Sequence, residues 1–427
     1  MSGVGRALPA FTLRGWSRGD IADPYPVYRR FREVAPVQRA DPDGGGPATY
    51  YVFSHPGVAT VLTSRHCGRS PLPSGPGTAA DGLVPGRFAT LRDLVDNWLV
   101  FLDPPRHTRV RSLLATEFSP AVAAGLRPRI EMIAGDLIAQ LRRRSVVDVV
   151  AEFAAPLPIL VISELLGVAA ERREWLRAAS TALQEASSSR AAARDDAHDV
   201  ADAAARRLSE FFAEQLDARR REPGPDLISL LALAQARDAA QRNRAQGETA
   251  LSDTEIIATC VHLLTAGHET TTNLLAKSVL ALLANPDALD ELRSDPTLLP
   301  GAVDELVRYD SPVQAVSRWV HRDLQVDRHR VPAGSKVVAL LGSANRDPAR
   351  WSDPDRLDLH RPPGPHVGFG MGIHYCLGAS LARAEAEIGL RSLLDLLPDV
   401  TATPGPVDYA DDMIFHGPSR LTVALSA

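Results

Sequence analysis

The stretch Phe369-Gly370-Met371-Gly372-Ile373-His374-Tyr375-Cys376-Leu377-Gly378 decides the fold of this chain, because it places a single cysteine in a glycine-rich turn. The residues that follow, 379–390, carry small and apolar side chains at helical spacing, so the turn leads into a helix. N–H groups at a helix N-terminus favour an anion, and Cys376 is therefore expected to be a thiolate. The stretch predicts a haem-iron site in which Cys376 ligates the metal.

The neighbours of this cysteine suit the same role. Gly370 and Gly372 can adopt positive φ and bring backbone amides close to the sulfur, and Phe369 can shield the sulfur from water. Gly378 lets the helix pass close under a flat ring. The pattern resembles the haem-binding signature of the cytochrome P-450 superfamily, which assigns haem contacts in this chain to Phe369, Gly370, His374, Cys376 and Gly378.

The resemblance implies a mainly α fold with a small β part (α+β). It further implies a triangular single domain, with haem b (iron protoporphyrin IX) between a long distal helix and the proximal helix after Cys376. We expect an N-terminal tail over 1–22 and one haem-thiolate monooxygenase domain over 23–427, since no linker divides the chain. The periodicity agrees, being almost wholly helical from Pro104 to Ala284.

Shorter elements surround this helical block. A short helix is predicted over Pro24–Glu33 and a loop over Arg69–Arg87, and Glu185–Asp202 is predicted to connect two helices at the surface, where the family has its substrate lid. Strand patterns occur at Tyr50–Phe53, Val313–Val320 and Val337–Leu341, and a terminal β-hairpin is predicted over Asp412–Leu425.

The amino-acid composition and the net charge restrict the classes of function that this chain can have. The 427 residues are 45% hydrophobic and 23% charged, as in soluble globular proteins, and the net charge of −5 gives no basis for nucleic-acid binding. Neither a signal peptide nor an apolar span is visible, so no membrane contact is expected. Three separated cysteines indicate a reducing, cytoplasmic setting. Lys277 and Lys336 are the only lysines, and this arginine excess is typical of GC-rich bacterial coding.

The longest helical pattern runs from Ser252 to Ala284 and begins with a capping box of Ser252 and Glu255. At its centre, Ala266-Gly267-His268-Glu269-Thr270-Thr271 concentrates poor helix formers, which indicates a kink or a groove. This segment is similar to the family's oxygen-activating segment. The similarity implies that Thr270 hydrogen-bonds bound dioxygen, that Glu269 links Thr270 to solvent for proton delivery, and that Ala266 and Gly267 lie against the haem.

A substrate pocket is expected beside this groove. His262 lies one turn before Ala266 on the same helix face, and it either contacts a polar group of the substrate or bonds a neighbouring helix. Both interpretations stay open. The pocket residues that we predict are His262, Thr265, Ala266, Val313, Gln314, Val316, Met413 and Phe415.

The two carboxylates of haem need cationic or donor partners. The run Asp103–Arg111 starts a helix after two prolines and resembles the family's helix that supplies such contacts through His107 and Arg111, and Arg318 and His374 match two more positions of that kind. A separate structural ion network behind the haem is implied for Glu305, Arg308 and Arg356.

Electrons must come from outside, because the length leaves no room for a flavin or iron–sulfur domain. The resemblance implies a ferredoxin and an NAD(P)H-dependent ferredoxin reductase as partners. Arg106 and Arg109 are expected to supply positive charge to the docking face near Cys376.

The preferred function is a monooxygenase that hydroxylates or epoxidises a medium-sized, mostly apolar small molecule with O2, as a tailoring step in bacterial natural-product (antibiotic) biosynthesis. A second hypothesis is oxidative coupling or ring formation on a peptide or carrier-bound substrate; relatives of that kind often lose the acid–alcohol pair, which Glu269 and Thr270 retain here. A third is a non-catalytic haem sensor, which would need neither a proton-delivery groove nor an open cavity.

Overall fold

The computed structural model describes residues 8–40, 47–71, 84–184, 195–241, 251–397 and 407–425. Its helices are α1 (Arg18–Ala22), α2 (Tyr25–Val34), α3 (His55–Thr63), α4 (Ala89–Val95), α5 (Arg106–Ala115), α6 (Pro120–Leu141), α7 (Pro156–Leu165), α8 (Arg173–Gln184), α9 (Ala197–Arg221), α10 (Leu227–Gln241), α11 (Asp253–Ala284), α12 (Pro286–Ser294), α13 (Leu299–Tyr309), α14 (Leu341–Asn345) and α15 (Ala379–Leu394). Its strands are β1 (Val37–Ala40), β2 (Thr49–Val52), β3 (Cys67–Gly68), β4 (Val146–Asp148), β5 (Ala315–Val320), β6 (Leu324–Val326), β7 (His329–Val331), β8 (Lys336–Leu340), β9 (Asp408–Tyr409), β10 (Pro418–Arg420) and β11 (Thr422–Ala424). The mainly α prediction with a small β part is confirmed.

One five-stranded sheet has the order β1-β2-β8-β5-β3. Strands β2 and β8 run parallel, with Tyr50 opposite Val337, and the other neighbours in this sheet run antiparallel. The remaining described strands form two-stranded pairs, β6 with β7, β9 with β10 and β4 with β11. The sheet thus joins the first and last thirds of the chain beside the helices.

One prediction about the β part is wrong. The segment from Asp412 to Leu425 does not fold back on itself, because β10 pairs with β9 and β11 pairs with β4. Alternation in the sequence identifies a strand and not its partner, and here the partner of β11 lies about 275 residues earlier. The partner of β11, strand β4, is a three-residue interruption in the almost wholly helical stretch from Pro104 to Ala284. Of the predicted surface connection, 185–194 lies outside the described residues, and α9 already begins at Ala197.

Helix α11 runs through the main core, as its length predicts. Its capping box is present, since the Glu255 N–H donates to Ser252 Oγ at 3.1 Å while the Ser252 N–H donates to the Glu255 carboxylate at 2.9 Å. It packs on α15, where a Cβ on Gly389 would lie 2.9 Å from Leu275 Cδ2. The missing side chain therefore allows close approach of α11 and α15. No described helix is both long and apolar enough to span a bilayer.

The predicted N-terminal tail is packed against the domain from its described start. Phe11 is 4% exposed and makes edge contacts with both Phe31 and Phe53, whose rings stack on each other 5.3 Å apart. Ile21, in α1, is also buried. This aromatic cluster fixes the entry of the chain onto the edge of the sheet.

A buried polar network joins α11 to α13 and the C-terminal segment. Lys277 Nζ lies 2.7 Å from Asp310 Oδ1 and 2.6 Å from His416 Nδ1, and it donates to the Ser311 carbonyl at 2.9 Å. Tyr25 donates its hydroxyl proton to Asp310 at 2.7 Å. Lys277 is 1% exposed, so its charge is compensated by these partners rather than by water.

Candidate functional site

The glycines of the cysteine turn have the predicted positive φ. Gly370 and Gly372 have φ of 72° and 69°, and the Cys376 N–H donates to the Phe369 carbonyl at 2.8 Å. A Cβ on Gly372 would lie 2.6 Å from the Leu62 carbonyl oxygen, so a side chain there would displace α3 as well as strain the turn. These constraints hold Cys376 just before α15.

The Cys376 thiol is exposed, although protein surrounds much of it. Burial raises the pKa of this thiol above its ordinary value, whereas a hydrogen bond from the Gly378 N–H and the charges of Arg111 and Arg383 act to lower the pKa. These effects oppose one another, and the thiolate form of Cys376 stays a prediction. A bound metal would deprotonate the sulfur. The Arg383 guanidinium lies 4.4 Å from the centre of the Phe369 ring.

A short open segment interrupts the buried surface of α11. Ala266 is exposed in the middle of this otherwise buried helix, and Gly267, Glu269 and Thr270 are half-buried. The Thr270 hydroxyl donates to the Ala266 carbonyl at 2.9 Å, so its oxygen lone pairs remain as acceptors. The predicted groove is thus present in a continuous helix.

Four basic residues predicted from distant parts of the sequence come together beside the cysteine turn. The rings of His107 and His374 are 4.3 Å apart, and Arg111 Nη2 donates to the Tyr375 carbonyl at 2.7 Å. Burial lowers the pKa of His374 to about 2, helped by the charges of Arg318 and its other basic neighbours. Both ring nitrogens of His107 are buried without a hydrogen-bond partner among the described residues. The cluster has the character of an anion site.

Arg69 joins the same cluster, and the sequence offered no signal for it. Its Nη1 donates to the Ser317 carbonyl, and its guanidinium lies 5.0 Å from the centre of the Phe101 ring. Its backbone N–H donates to Asp103 at 2.8 Å. These partners are 32 or more residues away in sequence, so only the fold brings them together.

The residues present fit an iron porphyrin. Cys376 offers a sulfur ligand, and an added Cβ on Gly378 would meet no atom within 4 Å, so there is room for a flat group. Ala266 faces open space on the distal helix. The unpartnered nitrogens of His107 and the excess of buried cationic groups suit the two carboxylates of haem.

Three of the predicted pocket residues are placed elsewhere by the structure. Gln314 is fully buried and donates to the Ser311 carbonyl at 2.7 Å, and Met413 is 1% exposed in the N-terminal aromatic cluster. Thr265 is 5% exposed and its hydroxyl donates to the Val261 carbonyl. Residue spacing placed them near the pocket, but their side chains point into the core.

The other predicted pocket residues keep accessible surface. Val313, Val316 and Phe415 are half-buried, and Val313 forms a backbone bridge with Phe415. The C-terminal segment thus contributes a wall next to the start of β5. These three residues and Ala266 offer apolar surface that remains accessible.

His262 stacks on an aromatic residue. Its ring lies 5.3 Å from the Trp98 ring at 18°, and Trp98 in turn stacks on Phe101 at 6.1 Å. Burial lowers the pKa of His262 to about 4, so the imidazole is neutral near pH 7. The structure shows no hydrogen bond from His262 to a described neighbouring helix, and no pattern in the sequence indicates Trp98 as its stacking partner.

The predicted ion network has a different third member. Glu305 binds Arg308 at 2.7 Å and Arg361 at 3.1 Å. Arg356 is exposed and takes part only through its backbone carbonyl, which accepts from Arg308 at 3.2 Å. The assignment of Arg356 is therefore wrong. Both arginines follow the same loop, and only the course of the chain shows which side chain turns inward.

Three further charged residues bear on the site. Arg106 and Arg109 lie 3.3 Å and 2.6 Å from the same oxygen, Glu255 Oε1, so one carboxylate offsets only part of their combined positive charge. Glu385, on α15, is 3% exposed and hydrogen-bonds Thr271 on α11. Burial raises the pKa of Glu385 well above its ordinary value, which favours a neutral acid between the two helices.

Comparisons of this chain with protein families, with curated proteins and with solved structures all identify cytochrome P450 proteins as similar to it. A family model described as Cytochrome P450 matches residues 175–397. Cytochrome P450 107B1 of Saccharopolyspora erythraea is 43% identical over 324 residues, which are 75% of this chain and 75% of that protein. The polyketide biosynthesis cytochrome P450 PksS of Bacillus subtilis is 34% identical over 337 residues, 78% of this chain and 79% of that protein. The crystal structure of P450BioI in complex with an acyl carrier protein ligated to hexadec-9Z-enoic acid superposes with a TM-score of 0.83 at 31% identity, covering 96% of this chain and 99% of that one.

Proposed function

This chain belongs to the cytochrome P450 family and is a P450 monooxygenase, and on that premise we propose that it hydroxylates or epoxidises a medium-sized, mostly apolar small molecule as a tailoring step in bacterial natural-product biosynthesis. The observation that supports the proposal is the position of Cys376 just before α15, because α15 packs on α11, which contains the open segment around Ala266. The polyketide role of PksS supports the tailoring step.

The cofactor of the family is a haem iron, and we propose haem b here. Cys376 would ligate the iron, and His107, Arg111, Arg318 and His374 would hold the two carboxylates. When bound, haem supplies the activation of dioxygen for insertion of one oxygen atom into substrate. The protein then has to exclude water, orient the substrate and deliver protons.

Proton delivery falls to Glu269 and Thr270 in this proposal. The Thr270 hydroxyl donates to the Ala266 carbonyl, which leaves its oxygen as an acceptor beside the open segment of α11. Glu269 is half-buried beside it and can exchange protons with solvent. The Thr270 oxygen would accept a hydrogen bond from a proton donor in the groove and orient it, and the Glu269 carboxylate would resupply the proton from solvent.

The pocket lining suits an apolar substrate. Ala266, Val313, Val316 and Phe415 offer apolar surface, and the neutral His262 ring adds a polar group beside Trp98. We propose that His262 orients a polar group of the substrate. Replacing His262 with Leu should weaken substrate binding; unchanged affinity would contradict this role.

P450 enzymes of bacteria take electrons from redox partners, and we propose a ferredoxin with its NAD(P)H-dependent reductase. Arg106 and Arg109 share the single carboxylate of Glu255, so this pair of arginines keeps net positive charge that can support docking. The exposed Tyr375 and the half-buried Arg383 lie closer to the cysteine turn. These residues support docking on the face beside Cys376.

The reduced, carbon-monoxide-bound spectrum tests the proposal directly. A thiolate-ligated haem absorbs far to the red of a histidine-ligated one, and the wild-type protein should show the red-shifted band. The Cys376→Ser variant should lose it. An identical spectrum in that variant, or a protein that stays colourless with hemin, would overturn the assignment of Cys376.

A matched pair of threonine variants tests proton delivery. Thr270→Ala should divert reducing equivalents to hydrogen peroxide, with product per NAD(P)H falling about tenfold or more. Thr272→Ala is the control, since Thr272 makes the same kind of hydrogen bond, to the His268 carbonyl at 2.9 Å, but is buried. Tight coupling in Thr270→Ala, or equal uncoupling in both variants, would contradict the role of Thr270.

A second candidate is oxidative coupling or ring formation on a carrier-bound substrate. The P450BioI structure with an acyl carrier protein supports the carrier-bound part of this candidate, because a similar fold there binds a tethered chain. Product mass separates the two candidates. Hydroxylation or epoxidation adds one oxygen atom, whereas coupling removes two hydrogens.

A further inference from the structure

Arg69 and Arg318 face each other across two strands. In the β3–β5 pair, Cys67 lies opposite Val320 and Gly68 opposite Trp319, so the next step of the register sets Arg69 opposite Arg318. Like charges directly opposite each other on antiparallel strands are destabilising. The arrangement therefore calls for an anion between the two arginines.

The turn that presents Arg69 is held firmly. The carboxylate of Asp103 accepts the backbone N–H groups of Arg69 at 2.8 Å and Ser70 at 2.9 Å, so it is occupied by the turn itself. His321 Nε2 lies 2.8 Å from the Ser70 carbonyl oxygen. A Cβ on Gly68 would lie 2.2 Å from the His321 ring, so no side chain fits at that position. The backbone is thus pre-organised and the guanidinium direction is set by Phe101 and the Ser317 carbonyl.

The donors of Arg69 are not all satisfied. Its Nε is buried and has no hydrogen-bond partner among the described residues, which is also true of both ring nitrogens of His107. Burial and the charge of Arg318 lower the pKa of Arg69 to about 9. Hydrogen-bond donors without an acceptor, next to cations that repel each other, are the usual features of a site that binds an anion.

From this geometry we infer that Arg69 is a further ligand of the haem carboxylates, with Asp103 as the positioning residue that fixes its turn. The inference rests on the proposed haem site. It adds a fifth basic residue to the four that the sequence predicted, and the new one comes from the turn after β3. A guanidinium can bind a carboxylate with two hydrogen bonds, which neither His107 nor His374 can do.

The test compares the loss of two iron porphyrins from holoenzyme into excess apomyoglobin. One porphyrin is protohaemin and the other is its dimethyl ester, in which both carboxylates are blocked. Arg69→Met should lose protohaemin about tenfold faster than wild type, the effect expected for one charge-assisted hydrogen bond, and should lose the ester at the wild-type rate. Arg69→Lys should recover part of the retention. The reduction potential of the haem iron should become more negative in Arg69→Met, because a nearby positive charge has been removed.

Arg219→Met is the control variant, since Arg219 also bonds a backbone carbonyl, that of Gly167 at 2.8 Å, and belongs to α9. It should lose both porphyrins at the wild-type rate. Equal acceleration for both porphyrins in Arg69→Met would assign Arg69 a structural role, and wild-type rates for both would show that it does not bind the carboxylates; either result overturns the inference. The red-shifted carbon-monoxide band distinguishes this failure from a failure of the proposed function. If only the inference about Arg69 fails, wild type and Arg69→Met both keep the band. If the proposed function fails, wild type lacks the band as well.

Discussion

Replacing the buried Lys277 with Met should destabilise the protein strongly. The side chain loses its ion pair with Asp310 at 2.7 Å and its contacts with Ser311 and His416, while Asp310 keeps only the Tyr25 hydroxyl among these partners. Removing one partner of a buried ion pair costs about 3–5 kcal/mol, because the other charge remains in the core. With an unfolding entropy of about 2.1 cal/mol/K per residue, this corresponds to a fall in Tm of about 3–6 °C.

The loss of stability should depend on pH. In wild type, Lys277 and the other partners hold the pKa of Asp310 below its ordinary value despite burial, so the pair stabilises the fold above that ordinary value and is lost only in strong acid. Without Lys277, burial raises the pKa of Asp310, and protonation relieves the penalty as the pH falls. Loss of Lys277 also raises the pKa of His416, since the lysine charge lowers it in wild type. The deficit should therefore be smaller at pH 5 than at pH 7.5.

Urea unfolding of four proteins at both pH values measures these effects. Lys277→Met should be the least stable at pH 7.5, and the double variant Lys277→Met, Asp310→Asn should recover at least half of the deficit, since no buried charge is left unpaired. Lys336→Met, which alters the only other lysine at a half-buried site, should stay within about 1 kcal/mol of wild type. A deficit below about 1 kcal/mol, or no recovery in the double variant, would refute the reasoning.

Variants at three other places test separate features of the fold. Arg361→Met should cost about 1–2 kcal/mol in urea unfolding because it removes one of the two arginines that bind Glu305 while Arg308 stays in place, whereas Arg356→Met should change stability by less than about 0.5 kcal/mol; equal costs would favour Arg356 as a member of the network. Gly372→Ala should cost about 2 kcal/mol or more through its positive φ and the contact with Leu62, while Gly378→Ala should leave unfolding almost unchanged and speed haem loss; a stable Gly372→Ala variant would contradict the strain argument. The buried neutral His416 has a pKa of about 4 in the fold and 6.5 when unfolded, so it removes up to about 3 kcal/mol of stability as the pH falls from 6.5 to 4; His416→Gln should flatten that part of the curve, and an unchanged curve would exclude His416 as the cause.

The close spacing of side chains explains which predictions from the sequence succeeded. The turn around Cys376, the capping box of Ser252 and the groove at Ala266 depend on residues within a few positions of one another. Backbone geometry converts such spacing directly into proximity. The amino-acid sequence therefore suffices to predict the family, the fold class and the cysteine turn.

The errors occurred where side-chain direction or a distant partner mattered. Gln314 and Met413 occupy segments next to the pocket, but their side chains point into the core. Arg361 rather than Arg356 turns toward Glu305 because of the path of one loop. The strand pairing of β11 with β4 likewise joins segments about 275 residues apart.

The sequence by itself determined that a cysteine-led helix and a long helix with an acid–alcohol pair coexist in one mainly α chain. The tertiary structure alone decided that Arg69 meets Arg318, that Lys277 is compensated in the core, and that Trp98 stacks on His262. Local pattern follows from bond geometry and periodicity, which act over a few residues. Contacts between distant segments arise from packing and charge compensation summed over the whole fold, which spacing along the chain does not encode.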